Sequence, residues 1–278
     1  MVDAMWLNDF YQTLNPIALQ IGPFIIRWYA LAYIAGFISA GIVMYKTSQA
    51  WKIPLGIDRV MGLVNASIIG VIVGARLVYV LFYGFSYYSE HPLEVFFLSQ
   101  GGMSFHGGLL GALIAGYIMC RFVYKISFVT VCDLAVIGTC LGLFFGRCAN
   151  FINGELWGKA CDLPWGVMFA HTGGGFVYRH PSQLYEAVLE GLVIFTVLFT
   201  LAHSKKRSYE GEFIGIFLVL YGTFRFLVEF VRLPDAQLGY LCGTDWLTMG
   251  QCLSLPLIVL GVLVLFWSRA RKIEHHLS

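Results

Sequence analysis

Charge is scarce in this chain. Only 12% of its 278 residues are Asp, Glu, Lys or Arg, against about 25% in a soluble domain. With 58% hydrophobic residues and a mean hydropathy of +0.74, that shortage excludes an ordinary soluble globular protein. What remains is an all-α, polytopic membrane protein, read here as one membrane-embedded domain over residues 1–278. The seven cysteines are odd in number and contain no C-x-x-C pair, so neither a disulfide framework nor a zinc site is indicated. They read as small apolar packers within helices. No basic stretch precedes the first apolar run, and that run is too long for a signal-peptide core, so no cleaved leader is expected. Internal repeats and low-complexity linkers are also missing, which argues against the paired halves of many transporters. A net charge of +2 says little, because in a membrane protein the position of each charge matters more than the sum.

Crossing a bilayer core takes about 20 mostly apolar residues. Seven runs meet that need, near 21–44, 60–83, 104–120, 128–146, 182–202, 212–231 and 250–268. Residues 1–20 carry Asp3, Trp6, Asp9 and Tyr11 without Lys or Arg, and are expected to form a short amphipathic segment on the membrane surface. Eleven of the 18 basic residues fall on one side of seven crossings: Lys46, Lys52 and Arg59; Arg121 and Lys125; Lys205, Lys206 and Arg207; Arg269, Arg271 and Lys272. That side is expected to be cytoplasmic. The N-terminus is then extracytoplasmic and the C-terminus cytoplasmic, with polar segments around 84–103, 147–181 and 232–249 facing outward.

The other basic residues are Arg27, Arg76, Arg147, Lys159, Arg179, Arg225 and Arg232, inside a span or on its outer side. Something must hold them there. Guanidinium forks suit phosphate oxygens and stay charged, so a bound anion is one explanation. Pairing with Asp133, Glu155, Glu186, Glu190 or Glu229 is the other, and the pattern leaves both open.

The densest polar stretch is Gly146–Gly158, G-R-C-A-N-F-I-N-G-E-L-W-G, which follows the apolar run ending at Phe145. It gathers Arg147, Asn150, Asn153 and Glu155 at the mouth of a hydrophobic segment, where such groups are costly unless they serve a site. The alternative is an interfacial loop ending a helix, its arginine snorkelling to headgroups. In the second run Arg76, Tyr79 and Tyr83 share one helical face, as a ligand site or as a satisfied structural network. Four glycines flank Ser104 and His106 in G-G-M-S-F-H-G-G, where backbone can approach a ligand closely. His106 suits a base near neutral pH, or a histidine bonded to a carbonyl between helices. Late in the chain Tyr221, Arg225, Glu229 and Arg232 form one polar stripe, with Glu229 the natural partner of Arg225.

These stretches together resemble the prolipoprotein diacylglyceryl transferase family. The resemblance lies in G-R-C-A-N-F-I-N-G-E-L-W-G, G-G-M-S-F-H-G-G (101–108), R-W-Y (27–29), R-H-P-S-Q-L-Y-E (179–186), Y-G-x-F-R-F-x-V-E-F-x-R-x-P-D (221–235) and M-G-Q-x-L-S-x-P (249–256). They run in family order over nearly the whole chain. The weakest stretch is 160–176, and Ala149 stands where the family often has glycine. The resemblance implies an enzyme of the bacterial plasma (inner) membrane that moves a diacylglyceryl group from phosphatidylglycerol to the lipobox cysteine thiol of a prolipoprotein. Glycerol phosphate is released, and the active site faces the extracytoplasmic side. It implies Arg147 and Arg225 on the lipid phosphate, Asn150, Asn153 and Glu155 shaping the pocket with Tyr29, and His106 helping the thiol ionise. Tyr83, Tyr221, Glu229 and Arg232 join them as substrate-binding candidates. The expected partners are phosphatidylglycerol, the prolipoprotein signal peptide and the lipid bilayer, with no nucleic acid, cofactor or metal. Two other readings use the same arginines: a transporter or flippase for anionic lipid that forms no covalent product, and a helical scaffold whose arginines are all internally paired.

Overall fold

The structure, a computed structural model, describes residues 6–98, 101–204, 208–234 and 239–275. It is mostly helical. In chain order the elements are helix α1 (Trp6–Gln12), strands β1 (Ile17–Ile21) and β2 (Phe24–Arg27), and helices α2 (Trp28–Ala50) and α3 (Ile57–Phe82). There follow α4 (Phe85–Glu90), α5 (Phe105–Tyr124), α6 (Phe128–Asn153), strands β3 (Val167–Met168) and β4 (Tyr178–Arg179), α7 (Ser182–Ser204), α8 (Glu212–Val228) and α9 (Met249–Arg271). Six of them, α2, α3, α5, α6, α7 and α9, are long and apolar enough to cross a membrane. The seventh expected crossing forms α8, which at 17 residues spans about 25 Å, less than a hydrocarbon core of about 30 Å.

The first expected crossing begins later than its apolar run. Residues 17–27 form an antiparallel hairpin that turns at Gly22, φ +58°, and Pro23. Isoleucines at 17, 21, 25 and 26 favour extended backbone, and the Gly-Pro pair breaks any helix there. Only at Trp28 does the helix start. The central polar stretch also departs from expectation: α6 does not end near residue 146 but continues to Asn153, so Arg147 and Asn150 are helical. The chain leaves it at Gly154, φ +66°, the left-handed residue that commonly follows a helix end.

The described residues divide into two compact units, one within 6–47 and 132–275 and the other within 48–131. In the first, small residues let helices approach closely: a Cβ added at Gly36 would lie 3.0 Å from the Gly142 Cα, and one at Gly261 2.8 Å from the Val219 amide. Close backbone approach through small residues is how helices pack where lipid removes the hydrophobic drive. The N-terminal segment is amphipathic, with Trp6 and Phe10 exposed, but its inner face docks on protein. Leu7 and Tyr11 are buried in a cluster with Phe151, Val167 and Phe169. That cluster pins the end of α6 and the loop carrying β3 to α1. In the second unit α3 packs on α5 in the same small-residue fashion, a Cβ at Gly74 falling 2.8 Å from the Gly111 Cα. Lys205, Lys206, Arg207 and Asp235, part of the sequence reading, lie outside the described residues.

Candidate active site

Three helices of the first unit bring their charged faces together. Glu186 on the first turn of α7 is buried and accepts a hydrogen bond from Arg225 Nη1 on α8 at 2.7 Å. Arg232 Nη1, just past α8, donates to the same Oε1 at 3.0 Å. Its other oxygen faces Arg147 Nε on α6 at 2.6 Å. One carboxylate thus meets three guanidiniums. Arg225 also pairs with Glu229, four residues on, as the stripe on α8 requires. Glu229 in turn faces Arg232 Nε at 3.6 Å and accepts from the Thr248 hydroxyl, which also caps α9 in a capping box with Gln251. Glu190, one turn along α7 from Glu186, is fully buried with Arg147 Nη2 3.7 Å away. Arg147 and Arg225 keep 18% and 16% of their side-chain surface accessible, so the carboxylates are sealed while two of the arginine side chains are partly exposed.

A second polar group sits at the end of α6. Asn150 Nδ2 donates to Glu155 Oε1 at 2.8 Å and Asn153 Nδ2 to the same atom at 3.3 Å. The turn that carries Glu155 is tied to α7: Gln183 Nε2 donates to the Glu155 carbonyl at 2.6 Å, and the Ser182 hydroxyl to the Leu156 carbonyl at 3.0 Å. Tyr29 is within electrostatic reach of both Glu155 and Arg147, and Tyr221 of Arg225, Arg147 and Glu190. Ala149 is buried in the middle of the helix with ordinary backbone, so glycine is not needed there. Arg179 is spent on its loop, donating to the Gly174 carbonyl at 2.7 Å, and Lys159 lies 5.2 Å from the Tyr240 ring. His180, before α7, has its pKa lowered by burial.

In the second unit Arg76 settles the ambiguity of its arginine–tyrosine face. Its buried guanidinium donates to five backbone carbonyls: Glu94 at 2.7 Å, Val95 at 2.8 Å, Phe97 at 3.3 Å, Gly101 at 2.6 Å and Gly102 at 3.2 Å. It also lies over the Tyr88 ring, 5.0 Å from its centroid. Arg76 therefore holds a loop. Ser104 follows that loop, its amide bonded to the Ala75 carbonyl at 3.0 Å and its hydroxyl capping α5 through Gly107. His106 stands exposed on the first turn of α5, its ring edge-on to Phe105. Tyr83, at the end of α3, is exposed and stacked on Tyr79.

Of the site residues expected from sequence, Arg147, Arg225 and Arg232 are joined through Glu186, Glu229 pairs with Arg225, and Asn150, Asn153 and Glu155 form a bonded group. His106 and Tyr83 belong to the other unit. The sequence reading named Glu186 and Glu190 only as pairing candidates and passed over Thr248 and Gln183. The four-residue spacing of the two glutamates and the capping pattern T-x-x-Q were the available signals. Among the described residues no group of three or more His, Cys, Asp and Glu is placed to hold a metal ion.

The fold and the cluster define a polytopic helical membrane protein whose helices gather three arginines on one buried carboxylate. A family model described as prolipoprotein diacylglyceryl transferase matches residues 16–267. The chain is 49% identical to the phosphatidylglycerol–prolipoprotein diacylglyceryl transferase of Solidesulfovibrio magneticus, over 93% of this chain and 94% of that one. It is 45% identical to that of Geobacter sulfurreducens (94% and 97% covered) and 47% to that of Methylococcus capsulatus (94% and 98%). The chain belongs to the prolipoprotein diacylglyceryl transferase family.

Proposed function

We propose that this protein transfers the diacylglyceryl group of phosphatidylglycerol to the thiol of a prolipoprotein's lipobox cysteine. The names of its relatives support both substrates, and the gathering of Arg147, Arg225 and Arg232 on Glu186 is the observation that carries the chemistry. The thiolate attacks the glycerol carbon, a C–S bond forms, the C–O bond to phosphate breaks, and glycerol phosphate leaves with the electron pair. Charge grows on the phosphate oxygens. Prepositioned guanidiniums stabilise that charge without reorganising as the reaction proceeds. Arg147 and Arg225, whose side chains are the partly accessible ones of the cluster, are assigned to the lipid phosphate, and Arg232 with Glu229 holds them in place. Asn150, Asn153, Glu155, Tyr29 and Tyr221 shape the rest of the pocket.

A free cysteine ionises near pH 8.5, so the thiol gains from a base at neutral pH. His106 is assigned that role: its side chain is exposed, its ring edge-on to Phe105. Tyr83 is assigned to the substrate side of the same unit. The basic connections support a cytoplasmic C-terminus with the N-terminus and the site on the outer side, and the bacterial relatives support a bacterial inner membrane.

Purified protein, phosphatidylglycerol and a short lipobox peptide test the reading by mass spectrometry. A diacylglyceryl mass shift is expected with phosphatidylglycerol and a cysteine peptide. None is expected with phosphatidylethanolamine or a serine peptide. Selective lipid binding by folded protein without any shift would replace this reading with the transporter.

A further inference from the structure

The arginine cluster has no positive charge to spare. Arg147, Arg225 and Arg232 face three buried carboxylates, Glu186, Glu190 and Glu229. A phosphodiester brought among them while all six are ionised meets a neutral cluster with buried negative charge at its floor. Buried like charges repel strongly, so one carboxylate has to be neutral when the lipid phosphate is bound.

The geometry separates the three. Glu186 accepts hydrogen bonds from Arg225 and Arg232 and lies 2.6 Å from Arg147 Nε, and Glu229 accepts one from the Thr248 hydroxyl and is ion-paired with Arg225. Removing charge from either breaks several charge-assisted bonds. Glu190 has no accessible surface, and neither of its oxygens has a hydrogen-bond partner among the described residues. Its closest cation, Arg147 Nη2, is 3.7 Å away, too far for a hydrogen bond. A buried carboxylate left in that state is costly when ionised and far less so when protonated. It lies in the π-helical stretch Ala187–Val193, a distortion that is frequent at functional sites. The charged and titratable groups facing it are Arg147 from α6, Tyr221 and Arg225 from α8, Arg232 beyond α8, and Glu186 from its own helix.

We propose that Glu190, which faces Arg147 Nη2 as a carboxylate in the lipid-free protein, takes up a proton when the lipid binds, leaving the cluster with one net positive charge that matches one phosphodiester and turning Arg147 Nη2 toward the lipid. This rests on the assignment of Arg147 and Arg225 to the lipid phosphate. Glu190 acts through Arg147 and is a positioning residue. Because binding takes up a proton, affinity falls as pH rises, by up to about tenfold per unit for one linked proton.

The test is calorimetric binding of short-chain phosphatidylglycerol, with short-chain diacylglycerol, which lacks the phosphate, as control, from pH 5.5 to pH 9 in buffers of different ionisation enthalpy. Wild type should lose affinity at least about tenfold across that range, with proton uptake approaching one per lipid. Glu190→Gln, which mimics the neutral carboxyl, should bind at every pH with a flat profile and no uptake. Should that variant not fold, Glu190→Met serves in its place. A wild type that binds without proton uptake, or a Glu190→Gln protein that keeps the wild-type slope, overturns the proposal and leaves the phosphate site standing. Equal binding of both lipids by wild type at every pH overturns the phosphate site and this proposal with it.

Discussion

Arg147 Nε lies 2.6 Å from Glu186 Oε2, and the same glutamate holds Arg225 and Arg232 through its other oxygen. Glu186 is the hub on which the three guanidiniums are hung. Replacing it with Gln leaves three guanidiniums, one buried and two partly so, short of a counter-charge, and breaking a buried pair costs about 3–5 kcal/mol. Glu186→Gln should therefore unfold earlier in a thermal or denaturant melt and lose transfer. A variant as stable as wild type would show that the arginines find other partners.

Arg76 gathers five carbonyls from residues 94–102. A lysine ammonium has three donors on one point and cannot reproduce a planar fork that reaches five acceptors. Arg76→Lys should thus fail to rescue what Arg76→Ala loses. Hydrogen exchange of the 91–102 segment should rise by about tenfold or more in both variants. Unchanged protection in Arg76→Ala would mean the loop is held by other contacts.

His106 has a pH signature if it is the base. At pH 6.5 the peptide thiol is almost wholly protonated, and loss of a base should cost about 100-fold or more. Near pH 9 the thiol ionises unaided, so the deficit of His106→Gln should shrink as pH rises. Rates measured from pH 6 to pH 9 decide it. Near-full activity at every pH would remove His106 from the chemistry.

Asp133 is fully buried and accepts from the Gly211 amide at 2.6 Å, the Ile214 amide at 2.8 Å and His275 Nε2 at 2.9 Å. Ser208 closes the chain on the other ring nitrogen at 2.9 Å. This ties the first turn of α8 and the segment after α9 to α6. Asp133→Ala should destabilise the protein by at least about 2 kcal/mol in a melt, since it strands two amides in the interior. The Asn variant, which keeps an acceptor, should lose less. Equal losses would indicate that charge, not acceptance, is what the site needs.

Much of this was legible in the residues. Apolar runs marked the helices, because a 20-residue hydrophobic stretch has few other homes. The stripe from Tyr221 to Arg232 foretold the Arg225–Glu229 pair, since neighbours on one helix follow from spacing alone. Glu186 could be named but not ranked: its three partners come from α6, α8 and the segment after α8, and no periodicity within one helix encodes a meeting between helices. The hairpin at 17–27 was hidden for a different reason. A short run such as Phe24–Ile25–Ile26 is equally apolar as strand or helix, and only the Gly22–Pro23 turn distinguished them. Arg76 stays undecided in the sequence between a ligand site and a structural network because its acceptors are backbone carbonyls, which every sequence supplies and none announces.

The most direct measurement is transfer from saturating phosphatidylglycerol by Arg147→Ala and Arg147→Lys, alongside a melt that establishes folding. Loss of an oxyanion-stabilising donor typically costs about 100- to 1,000-fold in turnover. The Ala variant should remain folded and fall by that much, and the Lys variant should recover only part of it, because an ammonium cannot hold Glu186 and phosphate in the same plane. Normal turnover by a folded Arg147→Ala protein would contradict the account, leaving the arginine cluster as a structural tie.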